Sequence, residues 1–293
     1  MAILITGAAG FLGRHLSQVL RTTGHTVFEL DIMPPNENEN ERFIQGNLVT
    51  QEGFDCIPWE DIDVVYHLAS AGVKPDSRQW PTCIEVNIQG TLNLLEKAAS
   101  TESHPAFIYT HSFYEDALAS VPALRENPYI LTKSVSTTAV RTFANRYPGA
   151  VVDLCVFQVY GPGDASTTVL PYVCRQLIQN QPAVLGSGTG LRDWIHVDDV
   201  ICGLISAMSA GTPGQISTYD LGSGRLVSIR EMAEQLASLL NGSDLLVFDP
   251  EKDRPDTELN IKAERFIPGW TCRINPGNGL KDLANYYKNG VCS

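Results

Sequence analysis

Short apolar runs alternate with stretches of helical period through roughly the first 160 residues of the chain. The runs Ala2–Thr6, Thr26–Asp31, Asp63–Ala69, Ala106–Ser112 and Val151–Tyr160 read as strands, and Arg42–Gln45 as a further short one. Several are apolar on both faces, the pattern of parallel strands covered by helices above and below. Phe11–Thr23, about Pro81–Ser100, and Tyr129–Arg146 carry the helical period between them. This alternation predicts an α/β fold with a doubly wound parallel sheet and right-handed crossovers. The polar, proline-led stretch Pro34–Glu41 reads as a surface loop. Past Tyr160 the pattern loosens. Helical runs at Thr168–Gln179, Asp198–Ala210 and Ser228–Leu240 stand between loops rich in glycine and proline. They predict a smaller mixed lobe over the C-terminal edge of the sheet, where a substrate would bind.

Composition narrows the classes of function. The chain has 293 residues, is 43% apolar and carries a formal net charge of −12. That field repels a polyanion, so neither DNA nor RNA is an expected partner. A small anionic ligand is still admissible if a few placed groups and backbone N–H donors hold it. No apolar segment approaches the ~18 residues that span a bilayer, and Met1–Thr6 runs into a strand without the features of a signal peptide. The 7 cysteines are scattered and form no Cys-x-x-Cys pair. Free thiols in the cytoplasm are expected, with no metal site and no membrane partner.

The chemistry begins at Thr6-Gly7-Ala8-Ala9-Gly10-Phe11-Leu12-Gly13, between a strand and a helix. Gly7 permits the tight turn, Gly10 the approach of a pyrophosphate, and Gly13 close packing of helix on strand. Glycines mark many simple turns, so the motif draws its force from this context. Asp31 ends the second strand 18 residues beyond Gly13. Its carboxylate suits the hydroxyls of an adenosine ribose and would repel a 2′-phosphate, so NAD is expected over NADP.

Tyr129 and Lys133 stand four residues apart at the start of a helix and share one face. An ammonium beside a phenol favours the phenolate, which makes Tyr129 a candidate proton donor and acceptor. Lys133 is also placed to hold the nicotinamide ribose. On Ala106–Ser112, alternation puts Thr110 and Ser112 on one face and His111 on the other. Ser112 is thus a candidate to bond a substrate oxygen, while His111 is expected to be structural.

Taken with these residues, the chain resembles the extended short-chain dehydrogenase/reductase family, the nucleotide-sugar epimerases and dehydratases. The resemblance runs through Thr6–Gly13, His67-Leu68-Ala69, Val86–Glu96 around Asn87, Tyr129/Lys133, Val159–Gly163, Arg192–Asp199, Leu221–Gly224 and Arg254-Pro255. It implies a Rossmann domain over 1–165, with returning segments near 190–215, and a mainly substrate-binding lobe over 166–293. It further implies NAD contacts from Gly7, Gly10 to Gly13 with Phe11 and Leu12, Asp31, Asn47, Leu48, Leu68, Ala69, Ser70, Thr110, Tyr129 and Lys133. Asn87 matches the family's helix asparagine, which supports the active-site lysine through a water. Ser112 and Gln158 would meet the sugar, and Arg192 and Arg254 would grip the diphosphate. In His196-Val197-Asp198-Asp199, an aspartate is expected to cap a helix. A homodimer built on the Pro81–Ser100 and Tyr129–Arg146 helices is also implied, with Val135, Ala139 and Phe143 as its apolar stripe.

Departures from the family narrow the activity. Dehydratases carry Asp-Glu directly after the active-site Ser or Thr, whereas here Phe113-Tyr114 follow Ser112 and Glu115-Asp116 come two positions late. The segment between Ser112 and Tyr129 is short for the family. Asn47 stands for an aspartate, Gln158 for an asparagine and Cys155 for an arginine. The expected activity is an NAD-dependent nucleotide-sugar epimerase acting at a sugar carbon, C4 by resemblance. A 4-keto-sugar-nucleotide reductase using NAD(P)H and, less so, a 4,6-dehydratase are the alternatives. A non-catalytic NAD-binding scaffold is argued against by the intact Ser112, Tyr129 and Lys133.

Overall fold

Gly7 turns the chain out of a strand that pairs on both sides, and the main sheet grows outward from there. The computed structural model describes residues 1–34, 41–165, 167–253 and 259–290. Strand β1 (Ala2–Thr6) lies between β2 (Thr26–Asp31) and β4 (Val64–His67). β3 (Phe43–Gln45) pairs on β2. On the other side follow β5 (Ala106–Ser112), β6 (Val151–Val156) and β10 (Ile216–Leu221). The order is β10-β6-β5-β4-β1-β2-β3, and every pairing is parallel. Because β1 touches both β2 and β4, the chain order reverses between β1 and β4. That switch point opens a crevice at the carboxyl ends of the strands.

Both faces of the sheet are buried, which is why its strands read as continuous apolar runs. Ile3, Ile5, Tyr66, Ile108 and Val152 pack toward α1 (Phe11–Thr22) and α6 (Val197–Ala207). Leu4, Val65, Phe107, Tyr109 and Val151 pack toward α3 (Thr91–Ala99) and α4 (Pro128–Ala144). A further core joins α5 (Val169–Ile178), α7 (Ile229–Leu240) and α8 (Pro276–Lys288) to a small mixed sheet. That sheet has the order β11-β9-β7, with β7 Gln158–Tyr160, β9 Leu191–His196 and β11 Leu226–Ser228. A second pair, β8 (Ala183–Leu185) with β12 (Leu246–Phe248), completes the strands.

The differences from the sequence expectation have local causes. Val151–Tyr160 is two strands: after Val156 the chain leaves the main sheet and Gln158–Tyr160 pairs with β9 instead. Phe157 fills the break and stacks on Phe113 at 5.4 Å. The helix near Pro81 starts as the short α2 (Trp80–Cys83) and widens into a π-helical stretch, Ile84–Gly90, before α3. Strand β10 has mostly half-buried residues and no alternation to announce it. Helix α8 opens on Pro-Gly-Asn-Gly, residues of low helical propensity, and is held by packing. Neither Asp198 nor Asp199 caps α6. His196 does so through Nδ1, which accepts from Asp198 N–H at 3.3 Å. Buried Asp199 instead accepts from the N–H groups of Arg273 (3.0 Å) and Ile274 (2.8 Å), tying the C-terminal segment to α6.

His111 belongs to the scaffold, on the face that alternation gives it. Its Nδ1 is 2.6 Å from Asp153 Oδ1, and Arg141 Nε donates to Asp153 Oδ2 at 2.7 Å. Burial alone would raise the Asp153 carboxyl, but His111 and Arg141 outweigh it and hold it below the usual carboxylate range. Asp153 therefore stabilises the fold at neutral pH, and the contribution fades as pH falls through the carboxylate range. Replacing Asp153 by Ala strands the remaining charge and is expected to cost about 3–5 kcal/mol. Urea denaturation at neutral pH checks this, and the deficit relative to wild type should shrink in acid.

Candidate active site

The crevice floor consists of backbone held closer than side chains allow. Gly7 has φ +72°, and a Cβ there would lie 2.6 Å from Ala69 N. A Cβ on Gly13 would lie 2.1 Å from the Gly7 carbonyl oxygen. Both positions therefore exclude any other residue, as the motif implies. The turn is fixed by Gly7 N–H to Leu30 O and Gly10 N–H to Gly7 O, each 3.0 Å. Helix α1 starts at Phe11 with no side-chain cap and no acidic residue in its first turn. Among the described residues, the leading N–H groups, from Phe11, Leu12 and Gly13, thus lack a side-chain acceptor and a competing negative charge within the first turn, which suits a pyrophosphate.

Asp31 stands at the lip of this turn. Its Oδ2 accepts from Ala9 N–H at 3.0 Å and its Oδ1 from Met33 N–H at 3.2 Å. A carboxylate has four lone-pair sites, so acceptor capacity remains for ribose hydroxyls. Asn47 forms an Asx turn, its Oδ1 accepting from Val49 N–H at 2.8 Å. The Leu48 carbonyl is anchored by Asn93 Nδ2, also at 2.8 Å.

Across the crevice, the segment after β4 carries Leu68, Ala69 and Ser70. Leu68 N–H donates to Thr6 O at 3.1 Å, continuing the strand pairing past His67. His67 lies beneath, with Nδ1 2.8 Å from Thr6 Oγ1 and Nε2 2.8 Å from Thr91 Oγ1. Burial, aided by the Lys133 charge, lowers its pKa to about 3, so the ring stays neutral. Asn87, on the π-helical stretch, is buried, and its amide joins three segments. Oδ1 accepts from Ala71 N–H (2.8 Å) and Ser70 Oγ (3.1 Å), while Nδ2 donates to Ala71 O (3.0 Å) and Thr132 Oγ1 (2.9 Å). A π-bulge at a functional segment is a recurrent device. Here it aims one amide at both the crevice loop and α4.

Ser112, Tyr129 and Lys133 converge where β5 meets α4. Asn127 caps the helix, its Oδ1 accepting from Tyr129 N–H at 3.1 Å. Lys133 Nζ donates to Thr110 O at 2.7 Å and lies 4.1 Å from the centre of the Tyr109 ring. Burial works against its charge, but Tyr109, Glu115 and Tyr129 outweigh burial and raise its pKa. Ser112 Oγ accepts from Tyr114 N–H at 3.4 Å, and its hydroxyl favours ionisation of the nearby Tyr129 phenol. The Tyr129 pKa corrects the simple expectation. Burial raises it, and Lys133 pulls it down without prevailing.

The remaining candidates lie on the small sheet. Gln158 pairs with Trp194, and Arg192 with Val227. Arg192 is buried, and its Nη1 donates to Leu191 O at 2.8 Å. Its neighbour Asp193 gathers the N–H groups of Ser223 (2.6 Å), Gly224 (2.9 Å) and Ala263 (2.8 Å) around this strand. Arg254 lies outside the described residues. Three groups around the set have no role in the sequence analysis beyond the displaced acid read at Glu115: Tyr109, Thr137 and Glu115. The last had a readable signal, the Ser-x-x-Glu spacing of a capping box at Ser112.

Similarity to known proteins follows the same lines. The chain is 26% identical to a mouse dTDP-D-glucose 4,6-dehydratase, over 98% of this chain and 88% of that protein. It is 25% identical to a UDP-glucose 4-epimerase of Mycolicibacterium smegmatis, over 99% of both. Among solved structures, MoeE5 in complex with UDP-glucuronic acid and NAD superposes with a TM-score of 0.82 at 26% identity, covering 99% of this chain and 100% of that one. A family model matches residues 3–222, and the chain belongs to the NAD dependent epimerase/dehydratase family.

Proposed function

We propose that this chain is an NAD-dependent nucleotide-sugar epimerase acting at C4 of the sugar. The observation that carries the reading is the joining of Ser112, Tyr129 and Lys133 beside a glycine turn and an acidic ribose site fit for NAD. When bound, NAD supplies the acceptor and donor of the sugar's hydride. The chain's own groups handle the proton. Ser112 orients the sugar hydroxyl, and Tyr129 removes and returns its proton. Lys133 stabilises the phenolate and holds the nicotinamide ribose. Asn87 keeps the crevice loop and α4 in register. Gln158, Arg192 and Arg254 would hold the sugar and its diphosphate.

Relatives with dehydratase names are as similar as those with epimerase names, so the distinction rests on the loop after Ser112. Elimination of water needs an acid and a base presented to the sugar from that loop. Phe113 is instead buried in the core. The Glu115 carboxylate is turned back onto Ser112 N–H at 2.9 Å and Thr137 at 2.7 Å. Asp31 in turn favours NAD over NADP and weighs against a reductase.

A homodimer fits the surface. Trp80, Ile84 and Val135 are 43%, 47% and 44% exposed on α2, the π-helical stretch and α4. These elements also contact one another. Ala139 and Phe143 are half-buried, and Phe143 stacks on Tyr147, so that part of the expected stripe serves the core. The acidic balance continues to argue against a nucleic-acid partner, and a cytoplasmic setting fits the free thiols of the described cysteines.

Five measurements test this reading. Tyr129→Phe should lower turnover by about 10²–10⁴-fold while the purified protein keeps its NAD. In the wild type, kcat/KM should fall as pH drops, because the required phenolate belongs to a group whose pKa burial raises. Interconversion of 4-epimers without added reductant is the expected product pattern; a 4-keto-6-deoxy product would move the assignment to dehydratase. Asp31→Ala should weaken NAD about ten- to a hundredfold, as loss of a charge-assisted hydrogen bond does, and narrow its lead over NADP in calorimetry. Ile84→Asp with Val135→Asp should convert a dimer to monomer in small-angle scattering.

A further inference from the structure

Glu115 makes two bonds, and only one of them belongs to a local turn. Oε1 accepts from Ser112 N–H at 2.9 Å, which closes a capping box on the short turn after β5. Oε2 accepts from Thr137 Oγ1 at 2.7 Å, and Thr137 stands one turn beyond Lys133 on α4. The carboxylate thus bridges the end of the strand that carries Ser112 to the helix that carries Tyr129 and Lys133. Thr137 Oγ1 is also 3.4 Å from the Tyr109 hydroxyl, and the Lys133 ammonium lies over the Tyr109 ring. Beside Glu115 is a polar cavity of about 110 Å³, lined also by His111, Asp116, Thr137 and Arg141. It has room for water beside the half-buried carboxylate.

We propose that Glu115 is a positioning residue of the proton-transfer set: its carboxylate clamps Ser112 to α4 and balances the Lys133 charge at the Tyr129 phenol. The inference rests on the assignment of Tyr129 and Ser112 above. The groups facing the phenol are Lys133 from its own helix, Tyr109 and Ser112 from β5, and Glu115 from the turn. Around Glu115 itself stand Asp116, His111 and Arg141, the last two committed to Asp153. The negative charge of Glu115 opposes loss of the proton from both Tyr129 and Lys133. Removing that charge while keeping the shape should make the phenol ionise more readily. A capping role alone would affect stability and leave the phenol where it was.

The decisive experiment titrates the phenolate absorbance of Tyr129 in the NAD-loaded protein. Wild type and Glu115→Gln are each measured against the same background carrying Tyr129→Phe. The Tyr129 transition should move to lower pH in Glu115→Gln, and the acidic limb of kcat/KM should move the same way. A Tyr129 transition at the same pH in wild type and Glu115→Gln overturns the proposal. Thr137→Val keeps the charge and cuts the bridge. It should lower kcat about tenfold with KM changed less than about twofold, the signature of a displaced catalytic group. An unchanged kcat would overturn the clamp. If no nucleotide sugar turns over, the function proposed above fails, and the substrate-free titration still decides the role of Glu115.

Discussion

The site depends first on the contact of backbone with backbone at the switch point. Gly7 lies against the Leu68–Ala69 peptide, and Gly13 lies against the Gly7 carbonyl. A methyl group at either place would push α1 or the segment after β4 out of position, because its nearest atoms are main chain and cannot rotate away. With both absent, the start of α1, the tip of β2 and the segment after β4 meet within one crevice. Asp31 accepts from Ala9 N–H on one side of that crevice, so the acidic end of β2 and the glycine turn are held as one piece.

The second constraint is that α4 serves the sheet and the chemistry at once. Its inward face carries Lys133, Ser136 and Thr137 onto β5 and the turn after it, where each meets a polar partner rather than an apolar one. Further along, Arg141 reaches Asp153 beneath His111. A row of buried polar bonds fixes rotation and register more sharply than apolar packing does, since each bond fails over a fraction of an ångström. Tyr129 and Lys133 are thereby carried on an element whose register is set along its length. The same logic explains Asn87. It joins the crevice loop to α4 through Thr132, so the two walls move together.

Burial gives Tyr129 its character, with charge as the modifier. A phenol taken out of water resists ionisation, and the nearby ammonium only partly offsets that. The carboxylate of Glu115 adds to the resistance. The phenol therefore resists loss of its proton, a property the proposed acid–base role would draw on.

The sequence by itself determined the elements whose signals are local or periodic. Strands Ala2–Thr6, Thr26–Asp31 and Ala106–Ser112 lie where their apolar runs place them, and the glycine turn, Asp31 and the Tyr129–Lys133 pair were legible from spacing. The side of β5 that His111 takes was legible from alternation. Tertiary structure alone decided the rest. Strand β10 joins the main sheet only because β6 offers it an edge, and α8 forms only because Leu280, Leu283 and Tyr287 find the α5–α7 core. Asp199 left its expected capping role because the C-terminal segment brings two N–H donors within reach. The direction of the Tyr129 pKa and the inward turn of Glu115 depend on burial and on a partner 22 positions away. The Tyr129 direction has no local signature in the chain, and the Ser-x-x-Glu spacing announces only the bond of Glu115 to Ser112, not the one to Thr137: both are decided by neighbours that only the packed fold assembles.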